Sequence, residues 1–234
     1  MIPQNITTIL FDLDGTLIFR KPSSLEVFLE LIGGNGMTVD QENKRKLRQF
    51  IHYYWARSPE SEADIEHYGK FTEAFWENYM FRQCRILGCS RAEAAATASE
   101  LQAQWEDAYQ PETVLSPRAH STLTALRERE YTLGLVSNRS LPFQEELNDL
   151  GLDKHFHFSF TAGEVNSWKP DREIFNHALD KAGSSPEDTV YIGDNYYADI
   201  LGAKKRGLFP VLYDPEDTFP GADCAVIQCL SELI

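Results

Sequence analysis

The sequence predicts an α/β protein, a parallel sheet flanked by helices, with an all-helical segment inserted near its start. Three observations predict it. The apolar run Ile9-Leu10-Phe11 closes on Asp12-Leu13-Asp14-Gly15-Thr16, the pattern of a strand buried on both faces and ended by a sharp turn. Residues 23–109 then carry helix signals and no strand pattern. From Ser116 onward strands and helices alternate, which implies parallel pairing through crossover connections.

Taken in order, the first strand ends in two acids spaced i and i+2, and in extended chain that spacing puts both carboxylates on one side. Thr16 can cap the next element of the chain. Ser23-Ser24 caps a helix bearing Leu25, Phe28, Leu29 and Ile32, and Gly33-Gly34-Asn35-Gly36 ends it. A second helix starts near Thr38 or Asp40, with Leu47, Phe50, Ile51, Tyr54 and Trp55 on one face, and Ser58-Pro59-Glu60-Ser61 breaks it. A third runs from about Ile65 through Leu87, with Phe71, Phe75 and Tyr79 in the i, i+4 rhythm, up to Gly88. Ser90-Arg91-Ala92-Glu93 is a capping box opening an Ala-rich helix to about Tyr109. Pro111 closes the block, giving a helical domain over 18–112 and an α/β domain made of 1–17 and 113–234.

Beyond it, Ser116-Pro117 opens a helix bearing Leu123 and Leu126. Tyr131–Val136 is a buried-type strand, a helix covers 143–150, and 157–161 is a short strand. Residues 171–182 form a helix ended by Gly183, and Thr189–Ile192 a strand closed by Gly193-Asp194. Residues 196–206 form a helix ended by Gly207. Phe209–Tyr213 and a short 225–227 segment complete the strands, followed by a terminal helical turn.

Composition narrows the function. A net charge of −14 argues against nucleic acid, because phosphate backbones demand basic surfaces. No stretch approaches the roughly 18–20 apolar residues that span a bilayer, and Met-Ile-Pro-Gln-Asn-Ile lacks a basic n-region. The spacing of the four cysteines, Cys84, Cys89, Cys224 and Cys229, fits neither a zinc knuckle nor a disulfide framework. They read as buried free thiols of a cytoplasmic protein.

On this map the polar residues collect at strand ends. The first strand ends in Asp12 and Asp14, the second in Ser137-Asn138 and a later one in Gly193-Asp194, with Asp199 opening the next helix and Lys169-Pro170 preceding another. A parallel sheet brings its carboxyl ends to one edge. Acids held that close call for a cation.

Asp12-Leu13-Asp14-Gly15-Thr16, Ser137-Asn138, Lys169-Pro170 and Gly193-Asp194-Asn195-Tyr196-Tyr197-Ala198-Asp199 together resemble the four motifs of the haloacid dehalogenase (HAD) superfamily. The insertion resembles that family's subclass I helical cap, and the phosphoglycolate-phosphatase-like branch is the nearest pattern. The resemblance implies a Rossmann-like core and a Mg2+-dependent phosphatase acting on a small phosphorylated metabolite, as monomer or homodimer. It implies Asp12 as nucleophile, forming an aspartyl-phosphate, and Asp14 as proton carrier. Mg2+ would bind Asp12, Asp14 through its backbone carbonyl, and Asp194. Ser137, Asn138 and Lys169 would hold the phosphoryl group, while Asp199 and Asn195 orient the lysine and the metal's water. Asn195 stands where the family more often has Ser or Thr. Arg20, Lys21 and Arg139 are candidates for substrate specificity. The aromatic residues Tyr53, Tyr54, Trp55, Phe71, Phe75, Trp76 and Tyr79 read as core of the cap, with a leaving-group pocket as the alternative. Alternatives in function are a 5'-nucleotidase-like enzyme, a phosphomutase, or a non-catalytic phosphate-binding relative.

Overall fold

A computed structural model describes residues 2–234. In chain order it contains β1 (Thr8–Phe11), β2 (Ile18–Lys21), α1 (Ser24–Gly34), α2 (Gln41–Trp55), α3 (Pro59–Tyr68), α4 (Glu73–Ile86), α5 (Arg91–Ala108), β3 (Glu112–Leu115) and α6 (Ala119–Glu128). There follow β4 (Thr132–Ser137), α7 (Gln144–Asp149), β5 (Phe158–Thr161), α8 (Ala162–Val165), α9 (Arg172–Ala182), β6 (Thr189–Gly193), α10 (Leu201–Arg206), β7 (Phe209–Tyr213) and β8 (Ala225–Ile227). The chain folds as two compact units, one holding the residues up to Phe19 with Leu115–Ile234, the other Arg20–Val114.

The first unit is a six-stranded sheet in the order β5-β4-β1-β6-β7-β8, parallel throughout. β1 lies between β4 and β6, with Phe11 opposite both Leu135 and Ile192. The pleat sorts its side chains into two cores. Ile9 and Phe11 pack with Leu133, Leu135, Val190 and Ile192 on one face, against Leu123 and Leu126 of α6. Leu10 packs with Val136 and Tyr191 on the other, against Ile174, Phe175 and Leu179 of α9. All four residues of β1 are buried, which is why its sequence is an unbroken apolar run rather than an alternation.

The second unit is helical. Phe28, Ile32, Leu47, Met80, Ala94, Ala98 and Leu101 form one core, and Tyr54, Phe75 and Tyr79 a second. Buried Asp64 of α3 joins three helices. It accepts from the Tyr54 hydroxyl of α2 at 2.9 Å and from Arg82 of α4 through Nε at 2.5 Å and Nη2 at 2.7 Å. Capping boxes close the starts of α1 on Ser23-Glu26 and of α5 on Ser90-Glu93.

Several expectations need correction. Ser58-Pro59 does not merely break α2. Ser58 accepts the Ser61 N–H and Pro59 takes the first helical position, so the pair starts α3. The single helix expected over 65–87 is two, because Gly69 and Phe71 take φ of +81° and +62° and Thr72 caps α4. Ser116-Pro117 forms a turn ahead of α6, which Arg118 opens from a left-handed conformation. The helix expected over 196–206 opens as a π turn, Tyr196–Ile200, before α10. The flanks of the insertion pair as a two-stranded sheet, β2 with β3. Of the four free thiols only Cys84 and Cys89 are fully buried.

Candidate active site

β1 changes sides in the chain's progress across the sheet: β4 and β5 lie to one side of it, β6, β7 and β8 to the other. The carboxyl edge at such a switch is where open α/β sheets leave a crevice. Asp12 sits there. Its N–H continues the ladder by donating to Ile192 C=O at 2.8 Å, and its parity with Leu10 aims it to the α9 side of the sheet. Gly15 then turns the chain at φ +86°. A Cβ there would stand 2.4 Å from Asp194 Oδ2, so the turn and Asp194, just past β6, approach as closely as only glycine permits.

Lys169, 2% exposed, is the hub. Its Nζ lies 2.6 Å from Asp12 Oδ1 and 2.7 Å from Asp199 Oδ1, and 5.5 Å from the centre of the Tyr191 ring. Asn138 fixes the backbone under it. Asn138 Nδ2 donates to Lys169 C=O at 2.9 Å, and Asn138 Oδ1 accepts the Lys169 N–H at 2.7 Å. This pair of hydrogen bonds clamps the segment before α9 to the end of β4. Ser137, buried, accepts the Arg139 N–H at 3.2 Å. Asp199 is held in turn by the Asn195 N–H, which donates to its Oδ2 at 3.0 Å. A Cβ on Gly193 would fall 2.3 Å from that same oxygen. Asn195 Oδ1 accepts the N–H groups of Tyr197 and Ala198, both at 3.0 Å, and so caps the π turn that carries Asp199.

Asp12, Asp194 and Asp199 each present a carboxylate oxygen within 4.8 Å of one another. The Thr16 hydroxyl sits within reach of both sides of the cluster, 3.4 Å from Asp12 Oδ2 and 3.3 Å from Asp194 Oδ1. Burial pushes the Asp12 carboxyl up to about 7 against the pull of Lys169. Burial, then repulsion from Asp12, pushes Asp194 up as well. For Lys169, burial opposes the charge, but Asp12 and Asp199 outweigh it and hold the ammonium well above its ordinary range. Three acids around one ammonium leave two negative charges uncompensated when all are ionised. The oxygen-only donor set and that deficit fit a hard divalent cation such as Mg2+.

Asp14 stands apart from this cluster. Its side chain is 46% exposed and is gripped by Arg139, Nη2 to Oδ1 at 2.6 Å and Nε to Oδ2 at 2.7 Å. Arg139 also pairs with Glu146 of α7. Arg20 and Lys21 lie at the end of β2 in the helical unit, where Arg20 donates to the Thr113 hydroxyl and Lys21 is exposed. The structure thus gathers Asp12, Ser137, Asn138, Lys169, Asp194, Asn195 and Asp199 at one sheet edge, and ties Arg139 to Asp14. The roles of Thr16, Tyr191 and Glu146 carry no mark in the sequence. Thr16 reads only as a cap, and Tyr191 and Glu146 are not singled out.

Comparison with known proteins identifies the family. The family model for haloacid dehalogenase-like hydrolases matches residues 6–207. The chain is 28% identical to ribulose-1,5-bisphosphate 5-phosphatase of Halopiger xanaduensis, over 94% of this chain and 89% of that one. It is 29% identical to phosphoserine phosphatase of Thermus thermophilus, over 93% and 94%. A HAD phosphatase of Thermococcus onnurineus shares the fold at a TM-score of 0.55 and 24% identity, over 97% of this chain and 96% of that one. With its motifs converging on one sheet edge, the chain is an enzyme that belongs to the haloacid dehalogenase-like hydrolases.

Proposed function

We propose that this hydrolase is a Mg2+-dependent phosphomonoesterase that works through an aspartyl-phosphate on Asp12. The carrying observation is the contact of Lys169 Nζ with Asp12 at 2.6 Å, inside a cluster of buried acids. One oxygen of Asp12 is thereby aligned and its charge moderated, while Asp12 Oδ2 is the oxygen the Thr16 hydroxyl approaches. In-line attack on phosphorus places negative charge on the equatorial oxygens, and Lys169 with the Ser137 hydroxyl and the Asn138 N–H supplies donors for them. Asp14 protonates the leaving oxygen and then takes a proton from the attacking water. Its half-exposed side chain can reach solvent, and it acts in this way once it leaves the Arg139 pair. Mg2+ would be held by Asp12, Asp194 and the Asp14 backbone carbonyl, and would supply charge neutralisation at the phosphoryl group. Asp199 and Asn195 hold Lys169 and the metal edge in place.

The substrate is a small phosphorylated metabolite, in keeping with the substrates for which the curated relatives are named. Phosphoglycolate belongs in the same screen. A silent relative would lack the need for Asp12, Asp14 and Lys169 together, and all three are present. Among the described residues no helix is long and apolar enough to cross a membrane; the free thiols of the four cysteines support a reducing, cytoplasmic setting. Asp12→Asn is expected to abolish hydrolysis of p-nitrophenyl phosphate while far-UV circular dichroism stays unchanged, and EDTA is expected to silence the wild type. Turnover retained by the folded Asp12→Asn protein would refute the mechanism.

A further inference from the structure

The helical unit encloses a cavity of about 410 Å3 that owes nothing to the acid cluster. Two groups of rings line it. Trp55 of α2 and Trp76 and Tyr79 of α4 touch one another, with centroids 5.3–6.0 Å apart. Trp105 of α5 packs on Tyr109 one turn later, at 5.2 Å. Part of the aromatic set that sequence spacing assigns to core is therefore wall, since Trp55 and Trp76 are only half-buried beside the space.

The polar lining is specific. Gln83 is 4% exposed and its side chain lines the cavity. Gln102 Oε1 is buried with no donor within reach. Glu106 adds a carboxylate, and no Lys, Arg or His lines the cavity. The Tyr79 hydroxyl accepts from Trp55 Nε1 at 3.0 Å, which leaves its own proton to offer. A helical core selected for stability alone fills such space and pairs such an oxygen, because interiors pack densely and an orphaned buried acceptor is destabilising. Stacking faces with acceptor-rich, cation-free edges are what a flat ring bearing N–H donors requires.

We propose that this cavity is a binding site for an uncharged or cationic amino-bearing nitrogen heterocycle, stacked on the tryptophans and hydrogen-bonded to Gln83 and Gln102. The proposal does not depend on the phosphatase reading and stands if Asp12 chemistry fails. An anion gains nothing there, since no basic side chain lines the wall.

The test titrates the full-length protein with 2-aminopurine, whose fluorescence is quenched on stacking. Saturable quenching is expected, with purine, which lacks the amino group, binding about tenfold more weakly. Inorganic phosphate is expected not to compete. Gln102→Met, at a half-buried position, and Gln83→Leu are each expected to weaken 2-aminopurine about tenfold, with folding checked by circular dichroism. Absence of saturable quenching overturns the proposal. So does equal affinity for purine and 2-aminopurine, or an unchanged affinity in Gln102→Met should Gln83→Leu not fold.

Discussion

Lys169 is the counter-charge that lets Asp12 and Asp199 be buried 2.6 and 2.7 Å from one ammonium. Removing one partner of such a set leaves acids facing acids, a loss of about 3–5 kcal/mol for buried pairs. Lys169→Met is therefore expected to lose phosphatase turnover and to melt well below the wild type in EDTA. Melting at the wild-type temperature would show that the lysine does not hold the cluster. At this scale the sequence was informative where chemistry demands a residue type at a strand end: Asp12, Ser137, Lys169 and Asp194 all announce themselves by position. Arg139 did not. Its bidentate grip on Asp14 joins residues 125 positions apart, and nothing local to Asn138-Arg139-Ser140 encodes it. Asn195 is a similar case, legible as a neighbour of Asp194 but not as the cap that sets the turn carrying Asp199.

Among elements, the contact between α6 and the short helical turn 153–155 is titratable. His120 Nδ1 and His155 Nε2 are 3.0 Å apart, so one ring must offer a proton and the other a lone pair. Burial pushes His155 below the ordinary histidine value of about 6.5, and His120, Lys154 and Arg127 add to the effect. The folded value lies below the unfolded one, so the unfolded chain binds the extra proton. The contribution is complete above about pH 6.5 and is lost as pH falls from there through the folded value. Between pH 7.5 and 5.5, the melting temperature of His155→Gln is expected to fall less than that of the wild type; equal slopes would exclude the pair as the cause. Element boundaries were harder to read than element types. α3 and α4 share one aromatic rhythm across Gly69–Thr72, and the break is made by two positive φ angles rather than by a change in periodicity. β2 and β3 were missed because four-residue strands outside the main sheet leave no alternation to detect.

For the molecule as a whole, a metal held by the acid cluster would make stability depend on that metal. A ligand that binds only the folded state at about 100 times its dissociation constant adds about 2.7 kcal/mol, and in a chain of this size each kcal/mol moves the midpoint by about 2–4 °C. Saturating Mg2+ is expected to raise the melting temperature of the wild type by about 5–10 °C, and to leave Asp194→Asn nearly unmoved. An equal shift in both would place the metal elsewhere. The overall plan, a sheet interrupted by helices after its first strand, was legible because the interruption changes the hydrophobic period for some 90 residues. The cavity among those helices was not, since a tryptophan facing a void and one facing a neighbour have the same spacing. The pairing of β2 with β3, with Arg20 bonded to Thr113, has a further meaning. It brings the first and last residues of the helical unit side by side, so the insertion is a closed loop hung from a clasp. A segment whose ends already meet imposes little closure entropy on its host. The helices can therefore be lengthened, shortened or exchanged as one cassette while every strand of the sheet keeps its register, so that change in the insertion leaves the spacing of the residues at the sheet edge untouched.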